Sequence, residues 1–176
     1  DFEGRWDVIP LFVSLDKNAS HLHFRFDWIN SQKNHLLQAV FNLSNPIREV
    51  FSEDMNILIK RNFNPEYDIR QNLPENRGIE VKNNTAPMQR GLLIDEEGNN
   101  LGIITKGLTQ YEVFQNKLFL PILRSTGQIS NPQNPARTTP AGPPIEVASL
   151  QQIGRNTAEF YVFFGNHNAF KDVLNH

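Results

Sequence analysis

Residues 21–30 read HLHFRFDWIN, and from His21 to Trp28 polar and apolar side chains alternate without a break. Successive side chains of an extended chain point to opposite sides, so Leu22, Phe24, Phe26 and Trp28 share one face. His23, Arg25 and Asp27 take the other. The stretch reads as a strand with one buried face. SQKN (31–34) is turn material, and HLLQAVFNL (35–43) follows as a second strand with Leu37, Ala39, Phe41 and Leu43 aligned. The two are expected to pair antiparallel.

The same reading extends in both directions. EVFSEDMNILIKRNF (49–63) carries weaker strand signals, and residues 64–86, polar and broken by prolines, predict a long surface loop. Leu92–Ile94 and Leu101–Ile104 flank EEGNN, whose Gly98 and Asn99 tolerate positive φ, so a hairpin is expected. YEVF and KLFLPILR form the next pair around Gln115-Asn116. Pro121 has no N–H to give a ladder and belongs at an edge or a bulge. NTAEFYVFF (156–164) is the last strand, and the tail NAFKDVLNH suits a short helix with Asn168 as its cap. Strands recur with turns between them, with no sustained 3.6-residue stripe and no repeat. The fold class is all-β, a large antiparallel β-sandwich over residues 1–176 with a long Pro-rich loop at 127–154.

Composition narrows the partners. A chain of 176 residues suits one domain that buries about two-thirds of its unfolded surface. Thirteen Phe among 39% hydrophobic residues favour sheet over helix. A net charge of -2 gives no positive field, so nucleic acid is not an expected partner, and Lys60-Arg61 reads as solvated surface. The chain lacks cysteine, which removes disulfides and thiolate metal sites and suits a reducing cytoplasm. No apolar run approaches the ~18 residues that span a bilayer, and no signal peptide opens the chain, so no membrane is expected. The chain starts at Asp1 rather than Met, which suits a piece of something longer. The sequons at Asn18, Asn42 and Asn83 read as chance matches in an Asn-rich chain.

Catalytic constellations are missing. There is no Gly-rich phosphate loop and no GxSxG elbow. His21 and His23, two apart on a strand, point to one face and could share a metal, but no third ligand stands at a convincing position. They read as a solvent-facing pair. Glycoside hydrolysis needs two carboxylates roughly 5 to 10 Å apart. Glu53-Asp54 and Glu96-Glu97 are neighbours in loop or turn settings, where carboxylates are usually solvated.

Five motifs of the second half, taken in order, carry a further signal. They are APMQRGLLID, LGIITKGLTQYEV, LFLPILRSTGQIS, RTTPAGPPIEVASLQQIG and EFYVFF. With RFDWINSQKNHLLQAVFNL before them, this succession resembles the C-terminal β domain of glycoside hydrolase family 38, the α-mannosidases, over residues 22–165. Two spots depart from it. Gly91 stands where the family commonly has an aromatic, and Arg155-Asn156-Thr157 replaces a more usual polar-His turn.

The resemblance implies a non-catalytic piece of an α-mannosidase. The family's zinc, held by Asp and His, and its Asp nucleophile lie in an N-terminal barrel, so no cofactor is expected in this chain and zinc is expected in that missing domain. The expected partners are that barrel and, at the margin of the cleft, an α-mannoside. The Pro-rich stretch, its φ angles fixed by its rings, suits a stiff rim. Arg124-Ser125-Thr126-Gly127 and Arg137 through Pro144, with Pro140, Gly142 and Pro143 among them, are candidates for the side that meets the barrel, and Arg124 and Arg137 for polar contact with barrel or sugar, since Arg offers five donors in a fixed fork. The same stretch could instead cover one end of the core. Tyr111 could stack on a sugar, whereas Trp28, on an apolar face, belongs in the core. Two other readings stay open, a self-sufficient carbohydrate-binding module and a protein-interaction sandwich.

Overall fold

The computed structural model describes residues 8–68, 83–95, 100–131 and 142–174. Eleven strands and one α-helix are defined among them. In chain order they are β1 (Leu11–Ser14), β2 (His21–Asn30), β3 (Leu36–Asn42), β4 (Glu49–Asp54), β5 (Ile57–Asn62), β6 (Thr85–Pro87), β7 (Gly91–Ile94), β8 (Leu101–Lys106), β9 (Gln110–Phe114), β10 (Lys117–Arg124), β11 (Gly154–Phe164) and α1 (His167–Leu174).

The strands form two antiparallel sheets. A seven-stranded sheet runs β1-β2-β11-β8-β7-β4-β5, and a four-stranded sheet runs β3-β10-β9-β6. This is the two-layer sandwich that the alternation predicts. The inward faces meet in one core, where Trp28, Val50, Leu92, Ile103, Leu118, Leu120 and Phe160 are buried. Phe160 is the aromatic hub. Phe24 stacks on it at 5.1 Å, and Phe41 reaches it edge-on from the other sheet at 5.7 Å.

One sequence expectation fails here. β2 and β3 do not pair: β2 lies between β1 and β11, whereas β3 joins β10 in the opposite sheet. Both strands have an apolar face that wants the same core, and crossing between layers satisfies both. Alternation fixes which face turns inward and not which strand lies alongside. The other pairings stand as read. β7 and β8 pair with Leu92 opposite Ile103, although the turn at 96–99 lies outside the described residues. β9 and β10 pair around Gln115-Asn116, and the β10 register shifts between Pro121 and Leu123, a bulge at the proline. The weak 49–63 segment is a hairpin, with positive φ at Met55 (50°) and Asn56 (65°). That conformation matches the twist of a two-residue hairpin turn.

α1 lies on the outer face of the seven-stranded sheet. Phe170 and Val173 pack on Leu93, Ile104 and Phe163, forming a second, smaller core. The cap is Asn166 rather than Asn168: its Oδ1 accepts from the N–H of Asn168 (3.0 Å) and of Ala169 (3.2 Å). Among the described residues no helix is long and apolar enough to cross a membrane.

Candidate functional site

A concavity lies over the outer face of the four-stranded sheet, where its edge meets the feet of the Pro-rich segment. It is an open depression of about 1360 Å³. Alternation along β3, β9 and β10 sends Leu37, Ala39, Tyr111, Val113, Leu118 and Leu120 inward. Gln38, Gln110, Glu112 and Pro121 therefore face out and line the depression. The register sets Gln38 opposite Pro121 and Glu112 opposite Phe119. Arg124, at the exposed end of β10, and the 125–128 segment form one wall.

That wall is held from beneath by a buried polar cluster. Gln151 ends a single 3-10 turn (Ala148–Gln151) and is 7% exposed. Its amide oxygen accepts from Asn34 N (2.9 Å), and its Nε2 donates to Asn34 Oδ1 (2.8 Å). The Ser125 hydroxyl donates to the same cluster, 2.8 Å from the Gln151 amide oxygen and 2.9 Å from its carbonyl. Asn30 Nδ2 donates to the Gln151 carbonyl at 3.0 Å. Three loops thus share one set of satisfied buried groups, which rigidifies a site where a partly satisfied set would destabilise it.

The Pro-rich segment is anchored at its feet. Gln128 and Glu146 form a β-bridge, Ile129 N donates to Ile145 O (3.1 Å), and Val147 N donates to Gly127 O (2.9 Å). Gly142 and Pro143 belong to the returning foot. Pro143 is exposed, and its carbonyl accepts from Ile145 N at 2.8 Å. Neither lines the depression. Arg137 and Pro140 lie outside the described residues.

Of the sequence candidates, Arg124, Ser125, Thr126 and Gly127 line the depression, and Arg124 is exposed with no ion pair among the described residues. Tyr111 is corrected: it is 0% exposed, in the core against Phe63 (5.9 Å), and no sugar or barrel can reach it. Its period-2 position in β9 sets it inward with Val113. Burial pushes its phenol pKa up, against the opposing pull of the Ser52 hydroxyl and Arg61. Trp28 is core, as read. Sequence reasoning missed Gln38, Gln110, Glu112 and Gln151. The outward alternation of Gln38, Gln110 and Glu112 was readable, that of the buried Gln151 in its 3-10 turn was not, and only topology brings three strands and two loops to one place.

Two other polar clusters are structural. His21 and His23 share the outer face of β2, as expected, but they are engaged there. His23 stacks on Tyr161 (4.7 Å) and contacts Glu159 (3.2 Å), which Lys106 also pairs at 3.3 Å. His21 meets Tyr161 edge-on at 5.2 Å. Burial raises the Glu159 pKa, but Lys106 and His23 outweigh it and hold the carboxyl below its ordinary value. Among the described residues no three of His, Asp and Glu are placed to hold a metal. Glu53 is not a solvated loop carboxylate. It is 2% exposed and accepts from Arg90 N (3.0 Å), Arg90 Nη2 (2.9 Å) and Asn56 N (2.9 Å). Glu96 and Glu97 lie outside the described residues.

The sequence matches no protein-family model, and no curated protein matches it in sequence. Solved structures do match. A protein of glycosyl hydrolase family 38 from Enterococcus faecalis superimposes with a TM-score of 0.66 at 16% identity, over 87% of this chain and 15% of its own. An alpha-mannosidase from Enterococcus faecalis V583 superimposes with a TM-score of 0.68 at 16% identity, over 89% of this chain and 16% of its own. The fold is that of a family 38 β-sandwich. At this identity the likeness is one of fold, and the chain spans only 15% and 16% of the two neighbours' lengths.

Proposed function

We propose that this chain is the non-catalytic C-terminal β-sandwich domain of a cytoplasmic α-mannosidase, a buttress for a zinc-dependent barrel that other residues of the polypeptide would supply. The observation that carries this reading is the asymmetric match. Nearly all of this chain superimposes on about one sixth of an alpha-mannosidase. The surface supports it too. On the outer face of the four-stranded sheet Leu36 and Val40 are 50% and 47% exposed, and Phe114, Phe119 and Pro121 beside them are half-buried. α1 covers part of the other outer face. Uncovered apolar side chains gathered on one sheet face suit a packing surface. In this reading that face meets the barrel, and Arg124 with the Pro-rich feet borders the sugar cleft.

The test is hydrolysis of a chromogenic α-mannoside by the purified chain, with added zinc and with a chelator. No turnover is expected in either condition. Chelator-sensitive turnover would overturn the assignment of the chemistry to another domain.

A further inference from the structure

We infer that the flank of the sandwich between β1 and β3 takes an added strand, an extended segment of alternating apolar and polar residues that pairs with the free side of β3 and closes the core. Burial along the inward faces locates the opening. Tyr111 of β9, Leu120 of β10 and Ile103 of β8 are 0% exposed. The inward Phe41 of β3 and Phe24 and Phe26 of β2 are only half-buried, and Leu11 and Val13 of β1 reach 48% and 50% exposure. The register sets Leu11 opposite Phe26 and Val13 opposite Phe24, so both belong to the core face. Phe24, Phe26 and Phe41 pack on the main core, which makes the opening a cut through that core rather than a separate patch. Phe41 meets Phe160 of β11 across the layers, so β3 lies above β11 and the larger sheet runs on beyond it by β2 and β1. Two strand spacings are about 10 Å, room for one or two more strands in the smaller sheet.

The edges differ in the same sense. Natural edge strands are guarded by charge, proline or short length. β5 carries Lys60 and Arg61, paired to Glu49 and Asp54, and β6 is three residues ending in Pro87. β3 is seven residues long without charge or proline, and among the described residues nothing pairs with its outer side. Free backbone groups beside an uncovered apolar floor make a template for strand addition. A second copy does not fit through its own β3, because a twofold axis would bring the two overhangs of β2 and β1 into one place. The source of the strand is a segment of the same polypeptide outside these 176 residues, a choice that rests on the proposed function. The two structural neighbours extend well beyond the 15% and 16% of their lengths that this chain matches.

Hydrogen exchange over Leu36–Asn42, read by mass spectrometry in the 176-residue chain and in the native polypeptide that carries it, tests the inference. Exchange about tenfold slower or more in the native polypeptide is expected, since alternate β3 amides gain a partner there. Val13→Lys should shift the melting temperature of the 176-residue chain by no more than about 2 °C, because Val13 is half-exposed in it. In the native polypeptide the same change should abolish the added protection, because it sets a charge beneath the docked strand. Equal exchange in a longer native polypeptide would overturn the added strand and leave the buttress reading standing, as would protection that Val13→Lys does not touch. Slow exchange already present in the 176-residue chain, or appearing as its concentration rises, would also overturn it, since its own residues or a second copy would then cover the flank. A native polypeptide no longer than this chain would sink both readings.

Discussion

Gly91 shows how one missing side chain fits the local packing. A Cβ there would stand 2.4 Å from the Ile103 carbonyl oxygen and 3.1 Å from the Phe170 ring. An aromatic side chain has no room at this position, because the strand partner and α1 already fill it. Gly91→Ala should therefore destabilise the fold by about 1–3 kcal/mol, the usual cost of overpacking. A lowered urea midpoint would show this; an unchanged one would refute the close packing. The second departure has a partner as well. Arg155 donates to both Asp27 oxygens, at 2.9 and 2.7 Å, and its guanidinium holds that carboxyl below its ordinary pKa. Glu53 gives the clearest pH prediction. Hydrogen bonding from Arg90 lowers its pKa in the folded state. An acid whose folded pKa is depressed contributes stability above its unfolded value, about 4.3, and loses it as pH falls through the folded one. Urea midpoints should drop below about pH 4.3 in the parent and drop less in Glu53→Gln. Equal slopes in the two proteins would remove Glu53 from the account. Nothing in the sequence marks Glu53 as buried, because its partners come from the β4–β5 turn and from a loop 37 residues away.

At the scale of elements, alternation was a sound guide to faces and a poor one to neighbours. It set Leu22, Phe24, Phe26 and Trp28 inward, and the missing N–H of Pro121 foretold its bulge, yet alternation could not reveal that β2 and β3 lie in different sheets. Strand pairing is a long-range choice, and period-2 patterns are local. α1 was readable as a short helix, but its role as cover for a second core was not. Phe170 is 1% exposed there, so Phe170→Ala should cost about 3–5 kcal/mol. Asn166→Ala should cost about 1 kcal/mol through the lost cap. Thermal or denaturant unfolding checks both, and a reversed order of the two effects would mean that α1 is held by its cap more than by its packing.

At the scale of the whole molecule, order and spacing of motifs carried more than any single residue. The sandwich and its likeness to family 38 were legible in the succession of strands. The candidate site was legible only along Arg124–Gly127, since Tyr111 turned inward and the other residues lining the depression come from separate strands and loops. In the proposed function the fold serves a larger enzyme. The most direct measurement is the intact mass of the native polypeptide that carries this sequence, by immunoprecipitation and mass spectrometry. A chain several times longer than 176 residues, with a zinc-bearing barrel ahead of this sandwich, is the predicted result. A native polypeptide of about 20.2 kDa, ending where this sequence ends at both sides, would contradict it.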